Sequence, residues 1–136
     1  MAGEFEPDKQ LVYKEIDNVE LRLHVFEPDG HRSADVAPAV VFFFGGGWNG
    51  GTPKQFYEQA RYLAQRGVVA ISAEYRVKKV HKTSPFECVH DGKSAIRFVR
   101  ARADQLGVNP DKIVAAGGSA GGHVAACTGV IEGQDE

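Results

Sequence analysis

The spacing of apolar residues changes period several times along the chain, and each change marks an element. Over residues 20–27, Leu21, Leu23 and Val25 alternate with Arg22, His24 and Phe26, which predicts a strand with one face on a core. His24 falls on the opposite face and is expected to be solvated. Residues 11–17 alternate only in part and predict a weaker strand, paired antiparallel with the first. A stretch of turn formers follows, EPDGHRSADVAP, with Pro28, Asp29, Gly30 and Pro38. Beyond it the alternation stops. AVVFFF at 39–44 is apolar at every position, which suits a strand covered on both faces. VVAISAEY at 68–75 and KIVAAGG at 112–118 read the same way, with NPDK before the latter as a turn.

Between these runs the period lengthens to that of a helix. Thr52-Pro53-Lys54-Gln55 predicts a helix start, with Thr52 as cap, Pro53 at the first position and Gln55 completing a capping box. That helix is expected to reach about residue 66, with Phe56, Ala60, Leu63 and Ala64 on one face and Gly67 ending it. A longer helix is predicted over 85–106, striped by Val89, Gly92, Ile96, Val99, Ala103 and Leu106. Asp91 on it is expected to order a neighbouring loop, and His81 to lie on the surface of the lysine-rich loop before it. A last helix starts at Ser119. The order β-β, then β-α-β-α-β-α, predicts an α/β fold: a mostly parallel sheet with helices on both faces and antiparallel N-terminal strands.

Bulk properties narrow the partners. The 136 residues, 43% hydrophobic, suffice for one domain with a core. Residues 1–10 are expected to be disordered or an addition to the natural chain, and MAGEFEPDKQ shows no apolar signal segment. A net charge of −2 and a pI near 6.2 give no electrostatic case for nucleic acid or an acidic membrane surface. The longest apolar run, 39–44, is too short to span a bilayer. Cys88 and Cys127 lack metal-type spacing and are expected as buried thiols, a single bridge remaining open. Cys88 and His90 do not face each other on a helix, so no metal site is expected.

The chemistry lies where glycine follows a buried strand, because ligands of such sheets bind at the strands' carboxyl ends. Gly117-Gly118-Ser119-Ala120-Gly121 fits G-x-S-x-G between a strand and a helix. A serine on so sharp a turn holds strained backbone angles and stands above the sheet, and glycines on either side avoid clashes with neighbouring backbone. The Ala120 N–H, at a helix N-terminus, then points to where an oxyanion would form. A tetrahedral intermediate needs a second donor, and the GGGW loop after the neighbouring strand can supply it without side chains in the way. A rival motif overlaps this loop: Gly45, Gly47 and Gly50 fit G-x-G-x-x-G, with Glu74 ending the next strand, as in a dinucleotide-binding module. Against it, the helix is predicted to begin only at Pro53, and Trp48 stands where a pyrophosphate needs open space.

VVFFFGGGWNGG, VVAISAEYR, SPFECVHDGKSAIRFVRARADQLGVNPDKI and VAAGGSAGGHVAA together resemble the α/β-hydrolase esterases, in the hormone-sensitive-lipase-like and carbohydrate-esterase-like branches. The resemblance covers most of residues 39–126. It implies carboxylic ester hydrolysis through an acyl-enzyme, on small or carbohydrate-linked acyl esters, with no cofactor. It implies Ser119 as nucleophile, and Gly46, Gly47 and Ala120 as the oxyanion hole. Gly45 and Trp48 belong to the same loop, and Tyr75-Arg76 matches a structural pair at a strand end. The chain departs from the family at Phe44, where histidine is usual, and at Gly118, where an acidic residue often precedes the nucleophile. Family triads run serine, acid, histidine along the chain, yet after Ser119 come only His123, Glu132, Asp135 and Glu136 as candidates. His123 lies one helical turn on and points along the helix, a poor base for Ser119. The expectation is therefore the N-terminal half of a hydrolase domain, truncated after the nucleophile helix. Its acid and base would be missing, so that alone it is inactive or a pseudo-enzyme. Its exposed KIVAA edge is expected to pair with another copy or with a C-terminal partner segment.

Overall fold

The computed structural model describes residues 5–133. The elements are β1 (Lys9–Ile16), β2 (Val19–Phe26), β3 (Ala37–Phe43), α1 (Tyr57–Ala64), β4 (Val69–Ala73), α2 (Lys78–His81), α3 (Pro85–Ala101), α4 (Ala103–Leu106), β5 (Val108–Gly117) and α5 (Ala120–Val130). One sheet takes the order β1-β2-β4-β3-β5. β1 and β2 are antiparallel, β2 meets β4 antiparallel, and β4, β3 and β5 are parallel.

The topology follows from the connections. The chain moves from β3 outward to β4, then back past β3 to β5. Two right-handed crossovers in opposite directions place their helices on opposite faces. Alternate residues of β3 record this. Val40 and Phe42 pack with Tyr57, Ala60 and Ala64 of α1, while Val41 and Phe43 pack with Cys88, Ala95 and Val99 of α3 and Val124 of α5. Both faces are covered, as the unbroken apolar run predicted. Because α1 leaves β3 on one face and α5 leaves β5 on the other, the carboxyl ends of these adjacent strands form the crevice of the sheet.

Several expectations are corrected. β1 begins at Lys9, inside the stretch expected to be disordered. The Asp8 N–H donates to the Val25 carbonyl at 2.8 Å and Lys9 pairs with Val25, so residues 8–10 extend the sheet; residues 1–4 lie outside the described ones. His24 is buried, because α1 covers its face of β2: Nδ1 lies 2.5 Å from the Tyr57 hydroxyl and Nε2 2.8 Å from Glu74. His81 is half-buried in α2, where its Nδ1 accepts from the Val77 N–H at 3.0 Å. The long helix is interrupted at Arg102 (φ −111°, ψ 21°), so α4 turns its buried Ala103 and Leu106 into the core that also holds Val108. The NPDK turn is a bulge within β5: Ala37 pairs with Val108 and Ala39 with Ile113, leaving residues 109–112 without partners on β3. β5 is not buried on both faces. It is the edge strand, and Val114 is 58% exposed. Cys88 and Cys127 are free and buried. No helix is long and apolar enough to cross a membrane among the described residues.

Candidate active site

Ser119 stands between the end of β5 and the start of α5 with φ 53° and ψ −120°. Such angles are costly for a residue with a side chain and persist only where the surroundings enforce them. Here they are enforced by contact between backbones. A Cβ on Gly121 would lie 1.9 Å from the Phe43 carbonyl oxygen, and one on Gly117 2.4 Å from that of Gly121. The turn can close this tightly against the end of β3 only because both positions lack side chains.

The loop after β3 comes to the same place. A Cβ on Gly45 would meet the Gly118 carbonyl at 2.7 Å and the Ser119 Cβ at 3.3 Å, so the loop lies directly against the elbow. Gly46 (φ 154°) and Gly47 (φ 64°) carry the chain through a turn closed by the Asn49 and Gly50 N–H groups, which donate to the Gly46 carbonyl at 3.0 and 3.1 Å. Trp48 is also in the left-handed region, at φ 60°. Among the described residues, the N–H groups of Gly46, Gly47 and Ala120 have no backbone acceptor outside the regular elements. The structure thus brings Ser119, Gly45, Gly46, Gly47, Trp48 and Ala120 to one corner.

Side chains from elsewhere hold the loop. Gln55 does not complete a capping box: Thr52 makes no side-chain cap, and the first turn, Pro53–Phe56, is a 3-10 turn. The Gln55 amide instead grips Gly45, its Oε1 accepting from the N–H at 2.9 Å and its Nε2 donating to the carbonyl at 2.8 Å. The Gly45 N–H is therefore committed to Gln55. Phe44, in place of the family's histidine, stacks on Tyr75 with ring centroids 4.2 Å apart, and the Tyr75 hydroxyl donates to the Phe44 carbonyl. Burial raises the Tyr75 pKa, so it remains a protonated donor. Next to it, Arg76 and Asp91 form a buried pair: the Arg76 backbone N–H donates to Asp91 at 2.8 Å and its guanidinium at 2.9 and 3.0 Å, with Lys14 adding a bond of 2.9 Å from β1. Asp91 thus orders the chain end of β4, as expected for it. Burial and the Asp91 carboxylate push the Cys88 thiol up to about 12, so it stays protonated. Gln55 and the Tyr75 hydroxyl carry no motif of their own. The hints in the sequence are a capping glutamine that suits a helix start equally well and, by the family resemblance, the Tyr75-Arg76 pair at a strand end.

The His123 ring is engaged with other partners. Its Nδ1 accepts from the Trp48 indole N–H at 3.2 Å, and its Nε2 lies 3.5 Å from the Cys127 sulfur. Asp135 and Glu136 lie outside the described residues. The dinucleotide reading loses its geometric basis. A Cβ on Gly50 would meet nothing within 4 Å, so that glycine is not required for helix packing. Glu74, which would bind a ribose, is occupied by His24 and by the Arg22 N–H at 3.1 Å. Among the described residues no group of three metal-ligating side chains occurs.

The chain is similar to known esterases. The BD-FAE family model matches residues 23–136. An esterase from Thermogutta terrifontis, solved with propionate bound, is 53% identical and superposes with a TM-score of 0.89 over 91% of this chain and 46% of its own. Esterase 2 of the same organism, solved phosphonylated by cyclosarin, is 51% identical with a TM-score of 0.93, over 94% of this chain and 48% of its own. Esterase LipC of Mycobacterium tuberculosis is 38% identical over 95 residues, 69% of this chain and 23% of that protein. The chain thus spans just under half the length of these solved relatives and about a quarter of that curated one.

Proposed function

The chain belongs to the BD-FAE family, within the α/β-hydrolase esterases, and from that premise we propose that it carries the nucleophile half of a carboxylic ester hydrolase. Ser119 attacks the ester carbonyl, the alcohol leaves, and an acyl-enzyme forms. The N–H groups of Gly46, Gly47 and Ala120 receive the negative charge that develops on the carbonyl oxygen. Fixed donors of this kind act without reorganisation, and losing one costs about 3–4 kcal/mol of barrier lowering. The observation that carries the reading is the corner itself: a strained Ser119 packed against a loop whose Gly45 is already tied off, leaving the next two amides without backbone acceptors. The propionate in the Thermogutta structure supports a small acyl group.

Among the described residues the Ser119 hydroxyl has no acid or base as hydrogen-bond partner, so the 136-residue chain by itself should acylate slowly and turn over little. With p-nitrophenyl propionate we expect release of no more than about one equivalent of p-nitrophenol per chain, with the acyl group on Ser119, and none from Ser119→Ala. Release that persists in Ser119→Ala would refute the assignment. Steady turnover at about 1–1,000 per second would place a base within the chain.

The edge of the sheet bears on partners. β5 pairs on one side only, Val114 is exposed, and IVAA carries neither charge nor proline to discourage pairing. We infer that β5 takes up a further strand, from a second copy or from a C-terminal segment. Light scattering behind size-exclusion chromatography should show concentration-dependent association; a strict monomer with protected amides along β5 would contradict it.

A further inference from the structure

The two halves of this corner come from different strands, and something must fix their separation. Gln55 and Tyr75 tie the glycine loop to its own side of the site. The backbone of Trp48 and Asn49 is tied to α2, their carbonyls accepting from Lys78 at 3.0 Å and Lys79 at 2.9 Å. Across to α5, the side-chain link is the Trp48 indole N–H to His123 Nδ1, with the rings edge-on at 86° and centroids 5.2 Å apart. An indole nitrogen only donates. His123 must therefore offer a lone pair at Nδ1 and carry its proton on Nε2, which faces Cys127 four residues on along the helix. Both ring nitrogens are thereby engaged.

We propose that Trp48 and His123 form a strap that sets the distance between the two halves of the oxyanion site. His123 is then a positioning residue and not the base; the proposal rests on the ester-hydrolase reading above. The strap joins the loop that presents the Gly46 and Gly47 amides to the helix that presents Ala120. It acts one turn beyond the nucleophile, without touching substrate. His123 is exposed, so replacing it leaves the core intact.

Trp48 is the single tryptophan, so its indole proton is one resolved signal in a 15N–1H spectrum. His123→Leu should move that signal upfield and speed its exchange roughly two- to tenfold, the loss of one ordinary hydrogen bond. His123→Asn, whose amide oxygen falls near the position of Nδ1, should restore most of both. The second readout is the rate at which a fluorophosphonate labels Ser119. His123→Leu and Trp48→Phe should slow it by similar factors, with the double variant no slower than either, as for two ends of one contact. An indole signal unmoved by His123→Leu, or additive effects on labelling, would overturn the strap. Absence of labelling in the parent chain would instead count against the ester-hydrolase reading, and the indole signal would still decide the strap.

Discussion

The turn after β5 and the loop after β3 meet at Ser119, both rich in glycine, yet they are held in place differently. The elbow is fixed by main chain on main chain: Gly117 and Gly121 lie so close to the carbonyls of Gly121 and Phe43 that no Cβ fits. The loop shares such backbone crowding at Gly45 and Gly46, but it also depends on side chains reaching in from elsewhere, Gln55 on Gly45, Tyr75 on Phe44 and His123 on Trp48. The elbow's shape is therefore inseparable from the fold, since the residues that bend the chain also seat α5 on β3. The loop's shape can be lost while the fold survives. On the proposed reading, such a site has a more rigid half carrying the nucleophile and a more adjustable half carrying most of the charge-stabilising donors.

The sharpest way to break the contrast is a methyl group at the elbow. Gly121→Ala would place a carbon 1.9 Å from the Phe43 oxygen, a backbone atom that cannot step aside. Overpacking of this severity costs about 3 kcal/mol or more, a large share of the roughly 5–15 kcal/mol that holds a whole domain together. Gly121→Ala is expected to lose cooperative thermal unfolding altogether. A variant that melts within a few degrees of the parent would show that the elbow is as adjustable as the loop.

Gln55→Leu tests the other half. It strips the N–H and C=O of Gly45 of their side-chain partners, a cost of about 1–3 kcal/mol for groups left unsatisfied, felt in the loop. Faster amide exchange at Gly45 and slower labelling of Ser119 are expected, with cooperative melting retained. If Gln55→Leu instead collapses the fold, the division into a rigid and an adjustable half fails.

The smallest effect lies outside both turns and serves as a control. At the start of α3, Ser84 and Glu87 form a complete capping box: the Glu87 carboxylate accepts from the Ser84 N–H at 3.1 Å and from its hydroxyl. The Ser84 hydroxyl holds the Glu87 pKa below the ordinary carboxylate value. A folded pKa below the unfolded one stabilises above the unfolded value, and the gain is lost as pH falls through the folded value. Ser84→Ala should therefore cost about 1 kcal/mol at pH 7, and the difference from the parent should shrink below about pH 4.5. Labelling of Ser119 at pH 7 should not change, which separates a purely structural bond from those that hold the loop. A thermal-unfolding series in pH reads the first effect directly.

The same contrast explains what could be read before the structure. The elbow was legible because its constraint is local: glycines two residues either side of Ser119 must be small for steric reasons that a short motif records. The apolar runs at β3 and β4 were legible because both faces are covered. The edge position of β5 was less so, since IVAA has the same composition whether a neighbour lies on one side or two. His24 was misplaced because alternation along β2 cannot show that α1 covers the second face. The sequence suggests a cap at Gln55 because its actual partner, Gly45, lies across the loop rather than within its own turn. Contacts made over sequence distance by a single amide or hydroxyl leave no period to detect.

The proposed function requires that folding place a reactive serine against a prepared set of amide donors. The most direct measurement of this is the mapping of a fluorophosphonate adduct by peptide mass spectrometry, on the folded chain and on the same chain unfolded in guanidinium. The account predicts an adduct confined to Ser119 in the folded chain, absent from Ser119→Ala and absent after unfolding. An adduct spread over other hydroxyl side chains, or formed equally in the unfolded chain, would contradict it.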